Sequence, residues 1–252
     1  MTIACFKICW NDDKTDLISE ASIAEVISRP DDAVKTMMKF VQMTNRPLTN
    51  EERWVFYKNC KDCLCSRRNS FRSALELLND ESRKNHPSIM KFKNSIKSEI
   101  TQICEDIIKL IDRNLLKYSE TDDDKVFYLK MKADHFKYLA EISQIDSIEY
   151  LKNVKSAEES YAEAEEISAS SLLPSSLTRI GLGLNYSVFM HDYLGKEEAA
   201  IKMTREILNS ALLTCQKHNT PDVELTLKLL ETLRENLSVI FYHNLVHNYF
   251  KN

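Results

Sequence analysis

Apolar positions recur along this chain every three to four residues, with polar residues filling the opposite sides. In residues 125–141, KVFYLKMKADHFKYLAE, the residues Val126, Leu129, Ala133, Phe136 and Ala140 form one apolar stripe at helical spacing. The same period predicts nine helices. The first runs from about Asp13 to Ser28 with Leu17, Ala21, Ala24 and Ile27 inward, and the second from Pro30 to near Asn45 with Val34, Met37, Met38 and Val41 inward. A long third helix starts at Thr49 and reaches Leu78; the fourth, Ser88–Tyr118, carries Ile96, Ile100, Ile103, Ile107 and Leu110 on one side. The fifth ends near Ser143 and the sixth spans Ser147–Ile167. The last three cover Ser176–Leu194, Lys196–His218 and Asp222–Tyr249. Pro30, Pro47, Pro87, Pro174 and Pro221 stand at or just before helix starts, where a missing N–H costs least. Short connections make neighbouring helices antiparallel. No linker or low-complexity tail interrupts the pattern, so one helical domain is expected over residues 13–249, after an N-terminal extension of residues 1–12.

Composition sharpens this to an all-α fold. The 252-residue chain has three glycines, where average usage predicts roughly eighteen, and a sheet protein could hardly make its turns with so few. A net charge of −4 argues against a nucleic-acid partner. No apolar run is long enough to span a membrane, no signal peptide precedes the first helix, and the seven cysteines are odd in number. A cytoplasmic protein with reduced thiols is the expectation.

The fifth helix also carries a second stripe, Lys130, Asp134, Lys137, Tyr138 and Glu141. Taken alone it describes a solvated face held by weak i,i+4 pairs. Three further stretches change its meaning: LTNEERWVFYKNCKDCLCSRRNSFR (Leu48–Arg72), LTRIGLGLNYSVFMHD (Leu177–Asp192) and LRENLSV (Leu233–Val239). In this order along one chain, over residues 13 to 240, the four stretches resemble the 14-3-3 family of phosphopeptide-binding proteins.

That resemblance implies a two-fold dimer of nine-helix subunits, each with one concave amphipathic groove. It also implies a pocket in which a Lys, two Arg and a Tyr hold a phosphoserine or phosphothreonine. Matched through LTNEER, the Lys is Lys61, the first Arg is Arg68 and the Tyr is Tyr138, while Lys137 replaces the second Arg. Helix geometry favours Lys61 over the nearby Lys58: Lys61 and Arg68 diverge by about 20°, Lys58 and Arg68 by about 80°. Lys for Arg keeps the charge but loses the planar two-pronged grip. Asp134, Glu141 and Asp192 fit as acidic neighbours that hold the basic side chains. Asn185 and Asn236 match the family asparagines that bond the ligand backbone. The groove keeps Lys130, Leu184, Val188, Leu229 and Val239, and departs at Lys228, Thr232 and Ile240. At the dimer interface Arg29 and Glu99 match a bridging pair, its companion pair appears as Asp32 and Ser95, Phe92 stands for a tyrosine, and Ser70 matches an interface serine within an Arg-x-x-Ser pattern.

Other chemistry is poorly supported. Cys60, Cys63 and Cys65 lack a second ligand pair for zinc. His243 and His247 lack the Glu of H-E-x-x-H, and Gly181-Leu-Gly183 is no nucleotide loop. No catalytic arrangement, cofactor or metal is expected. The reading is an adaptor for phosphorylated client proteins, assembled as a homodimer or as a heterodimer with a paralogue, with no nucleic-acid or membrane partner. The alternative is a helical scaffold of the same fold that binds clients independently of phosphorylation.

Overall fold

The computed structural model describes residues 13–217 and 223–251; residues 1–12, Pro221 and the side chains of Ile240, His243 and His247 lie outside the described part. The described residues form nine α-helices and no strand: α1 Asp13–Val26, α2 Pro30–Met43, α3 Asn50–Asn79, α4 Pro87–Leu110, α5 Asp122–Glu141, α6 Ile148–Ser171, α7 Leu177–Asp192, α8 Glu197–Lys217 and α9 Val223–Lys251. They group into two compact units, one ending at Ser119 and the other beginning at Glu120.

Local chemistry sets most helix ends. Pro30 and Pro87 occupy the first turns of α2 and α4. Thr49 begins α3 with a reciprocal cap, its Oγ1 accepting from the Glu52 N–H while the Glu52 carboxylate accepts from the Thr49 N–H. Arg46 grips the same carboxylate with two nitrogens at 2.7 and 2.8 Å. Burial alone would push the Glu52 carboxyl upward, but Arg46 and Thr49 outweigh it and hold it below its ordinary value. Thr121, Ser147 and Ser176 cap α5, α6 and α7. At the end of α7, Gly195 takes a left-handed φ of 61° and lets the Lys196 N–H reach back to the Met190 carbonyl.

In the first unit α2 packs against α1 and α3, and α3 against α4. Leu17, Ala21, Ala24, Val34, Met37, Phe40, Phe56, Leu64, Ile100 and Ile107 are buried there. Two expectations fail. Ile27 is 59% exposed, because α1 stops at Val26 and Ser28 turns the chain with φ of 60°. The fourth helix does not stay α-helical to Tyr118: Ile111–Leu115 is a π-helical turn, in which Leu116 N–H donates to the Ile111 carbonyl. The wider turn takes up one extra residue, so that Leu110, Ile111 and Leu115 are all buried.

In the second unit α5 lies along α6, and α7 packs on α5, α6, α8 and α9. The buried face of α6 is made of small residues, Ala157, Ser160, Ala164 and Ser168, around one large one, Tyr161. Gly183 lets α7 approach α8 closely, since a Cβ there would sit 2.1 Å from Ile207 Cδ1. Ile180, Ile207, Ala211, Leu230 and Leu233 form the core shared by α7, α8 and α9.

Candidate functional site

The second stripe of α5 is not a solvated face. Lys130 and Asp134 are 6% and 3% exposed, although both carry charge. A Cβ placed on Gly181 of α7 would lie 3.9 Å from the Lys130 Cε, so α7 runs beside the lysine stem. Two charges removed from water need close, complete pairing, and Asp134 supplies it. Its Oδ2 accepts from Lys130 Nζ at 3.0 Å and from Asn185 Nδ2 at 2.9 Å. Its Oδ1 accepts from Asn185 Nδ2 at 2.8 Å and from the Tyr161 hydroxyl through a short contact. Lys137 Nζ lies 3.7 Å from the same Oδ1, an ion pair beyond hydrogen-bond length. Burial would push the Asp134 carboxyl up, but Lys130 and Lys137, with the bonds from Tyr161 and Lys130, hold it well below the ordinary carboxylate range.

This cluster fixes how Asn185 can act. Against an ionised carboxylate only its NH2 end can face inward, with one N–H shared between the two Asp134 oxygens. Its carbonyl oxygen is turned the other way, an acceptor suited to a peptide N–H. The ammonium of Lys137 also lies 5.6 Å from the centre of the Tyr138 ring. Lys130, Asp134, Lys137 and Asn185 are therefore one connected group on α5 and α7, with Tyr138 beside it.

Other expected site residues of this unit lie along α7 and α9. Leu184 and Leu229 are half-buried against the α7–α8–α9 core. Val188 and Asn236 are half-buried, and Val239 is 68% exposed. Lys228 pairs with Glu224 at 2.8 Å on its own helix, and the Thr232 hydroxyl donates to the Lys228 carbonyl. Asp192 does not hold a basic side chain of the Asp134 group. It sits at the exposed C-terminal end of α7, where its Oδ1 contacts His191 Nδ1 at 2.6 Å.

In the first unit, Lys61 and Arg68 stand on α3, Lys61 exposed and Arg68 half-buried. The rival Lys58 is tied to Glu25 of α1 by a short ion pair, with Asp62 at 3.7 Å. Sequence reasoning missed Arg67. It binds Asp31 of α2 at 2.7 Å and Glu99 of α4 at 2.9 Å, and so ties three helices together. Its Nη1 also donates to Cys63, whose thiol donates to Asp31. Burial and Asp31 push that thiol up to about 12, so it stays protonated. Arg29 pairs with Asp32 three residues on, through a short contact. The Ser70 hydroxyl donates to the Ser66 carbonyl, and Phe92 is 67% exposed.

Sequence reasoning also missed Tyr161. The signal available was its setting, one large ring among small residues spaced three and four apart on α6.

Comparison with known proteins gives a family. Residues 20–239 match the 14-3-3 protein family. The chain is 33% identical to 14-3-3 protein theta of Gallus gallus, over 90% of this chain and 92% of the relative. It is 32% identical to 14-3-3 protein beta/alpha-A of Xenopus laevis, over 90% and 93%. Against 14-3-3 protein beta/alpha of Homo sapiens the identity is 31%, over 90% and 92%. With its nine α-helices and the match over most of its length, this chain belongs to the 14-3-3 family, as a divergent member.

Proposed function

We propose that this protein binds client proteins through phosphoserine or phosphothreonine, in an amphipathic groove, without catalytic turnover. The observation that carries this reading is the Asp134 group. It gathers two lysines, a carboxylate and an amide of α5 and α7 into one group, the residue types that a phosphate and a peptide backbone call for. Lys61, Arg68, Lys137 and Tyr138 are the residues proposed to hold the phosphate. Asn185 accepts a backbone N–H of the extended client, and Asn236 takes a second backbone group. Leu184, Val188, Leu229 and Val239 line the apolar side. Lys228 and Thr232 make that wall more polar than in the family pattern, and so select a different set of clients. Arg68→Ala should weaken phosphopeptide binding by about 2 kcal/mol or more, the scale for removing one partner of a buried charge pair. Lys58→Ala, whose charge is paired with Glu25, should change it little. Calorimetry on both variants decides, and a damaging Lys58→Ala beside a harmless Arg68→Ala would contradict the assignment.

We also propose that the protein acts in the cytoplasm as a dimer paired through its N-terminal helices, with itself or with a paralogue. Ile23 and Val26 on α1, Ile27 just beyond it, and Phe92 on α4 are all more than half exposed, which favours a covering partner. Because Arg29 and Glu99 already have partners in their own chain, this dimer is weaker than a fully bridged one. Light scattering over a dilution series should show two chains at high concentration. A charge added at the exposed Ser70, as in Ser70→Glu, should shift the mass toward one. A wild-type mass of one chain throughout would contradict the dimer.

A further inference from the structure

In the second unit α6 and α8 both pack on α7, and an open cavity of about 500 Å³ lies where the three meet. None of the groove residues proposed above lines it. Met203, Ile207 and Leu213 of α8 give it an apolar wall, Glu165 of α6 and Glu206 of α8 bring two carboxylates, and Arg179 of α7 brings one guanidinium. These charges do not pair with one another. Glu165 is half-buried yet forms no ion pair among the described residues, and neither does Arg179, whose Nη1 donates to the Leu172 carbonyl at 2.8 Å. Glu206 has Lys202 at 4.0 Å, with both side chains more than half exposed, and a pair of that kind contributes little. Burial pushes the Glu165 carboxyl above its ordinary value and Glu206 adds to the shift, while Arg179 and the Ser168 hydroxyl oppose it.

A second group near Glu165 is also unsatisfied. Tyr186 is 6% exposed, its ring is stacked on Tyr161 with centroids 5.1 Å apart, and its hydroxyl makes no hydrogen bond among the described residues. Burial, with Glu158 and Glu165 close by, pushes that phenol above its ordinary value. Enclosed polar groups left without partners are the exception in a folded chain, and a bound donor would satisfy them.

We propose that this cavity is a docking site for a lysine side chain of a partner protein, its ammonium held by Glu165 and Glu206 and its four-carbon stem laid on Met203, Ile207 and Leu213. Charge complementarity selects a cation, because two carboxylates face one guanidinium. The aliphatic wall selects a cation on an apolar stem. Lysine suits the site better than arginine. Its point charge with three donors accepts partners standing on different helices, whereas a guanidinium calls for two acceptors in one plane. The inference does not rest on the phosphate-binding reading.

The test uses the full chain, labelled at its methionine and isoleucine methyl groups, and two probes. One is Nα-acetyl-lysine N-methylamide; the other is its neutral twin, acetylated at Nζ as well. In wild type the Met203 and Ile207 methyl signals should move saturably with the lysine probe, with a Kd on the order of 1 mM, the scale for a ligand of this size. The neutral twin should bind about tenfold more weakly, and so should the lysine probe to Glu165→Gln. Signals that stay put overturn the proposal, and so do signals that move equally with both probes, which would leave an apolar contact alone. A Glu165→Gln protein that binds the lysine probe as wild type does also overturns it. If that variant folds poorly, the contrast between the two probes in wild type decides.

Discussion

Two helices of this protein carry charge of both signs at nearly the same spacing, and they use it differently. On α3, Lys58 and Arg67 reach outward to Glu25, Asp31 and Glu99, acids on neighbouring helices that keep a quarter to a half of their surface in water. On α5, Lys130 and Asp134 pair with each other at side-chain exposures of 8% and 4%, enclosed by α6 and α7. The first arrangement staples helices together at modest gain. The second keeps charge where burial opposes it, which a fold tolerates only when every lone pair is satisfied or when the charge has a task.

Single substitutions can break this contrast. The largest effect is expected for Asp134→Ala, which strands the buried Lys130 and should cost about 3 to 5 kcal/mol in denaturant unfolding. Asp31→Ala removes one of the two acids on Arg67 and should cost about 1 kcal/mol, because Glu99 remains and water is near. Equal costs for the two would mean that α5 is also a surface staple. The contrast should also appear against pH. The folded carboxyls of Asp134 and Glu52 lie below their ordinary values, so the unfolded chain takes up protons first as pH falls. Their contribution is complete above about pH 5 and is lost as pH drops through the ordinary carboxylate range toward the folded values. Unfolding free energies measured from neutral pH downward should therefore decline. Glu52→Gln should flatten part of that decline, and an unchanged slope would contradict the role given to Arg46 and the Thr49 cap.

Much of this was legible in the sequence where chemistry is local. Thr49 with Glu52, Pro30, Pro87 and the apolar stripe of α5 announce their helices, because capping and periodicity act within a few residues. The π-helical turn at Ile111–Leu115 was not legible, since a run of apolar residues reads equally well with either winding. The family resemblance pointed to Lys130, Asp134, Lys137 and Asn185, and the structure joins these four into one group. It gave nothing about Tyr161 or Arg67, whose partners lie 27 and 32 residues away in the chain. Asp192 shows the opposite case: its spacing from Asn185 puts both on one side of α7, yet its partner is the adjacent His191.

The central claim is that this groove recognises phosphate. Isothermal titration of the full chain with one phosphoserine peptide and with its unphosphorylated twin tests it most directly. The account predicts at least a hundredfold preference for the phosphorylated form, about 2.7 kcal/mol, and a preference that shrinks as salt is raised. Equal affinity for the two peptides would contradict it, and would leave a helical scaffold that holds its clients without reading phosphorylation.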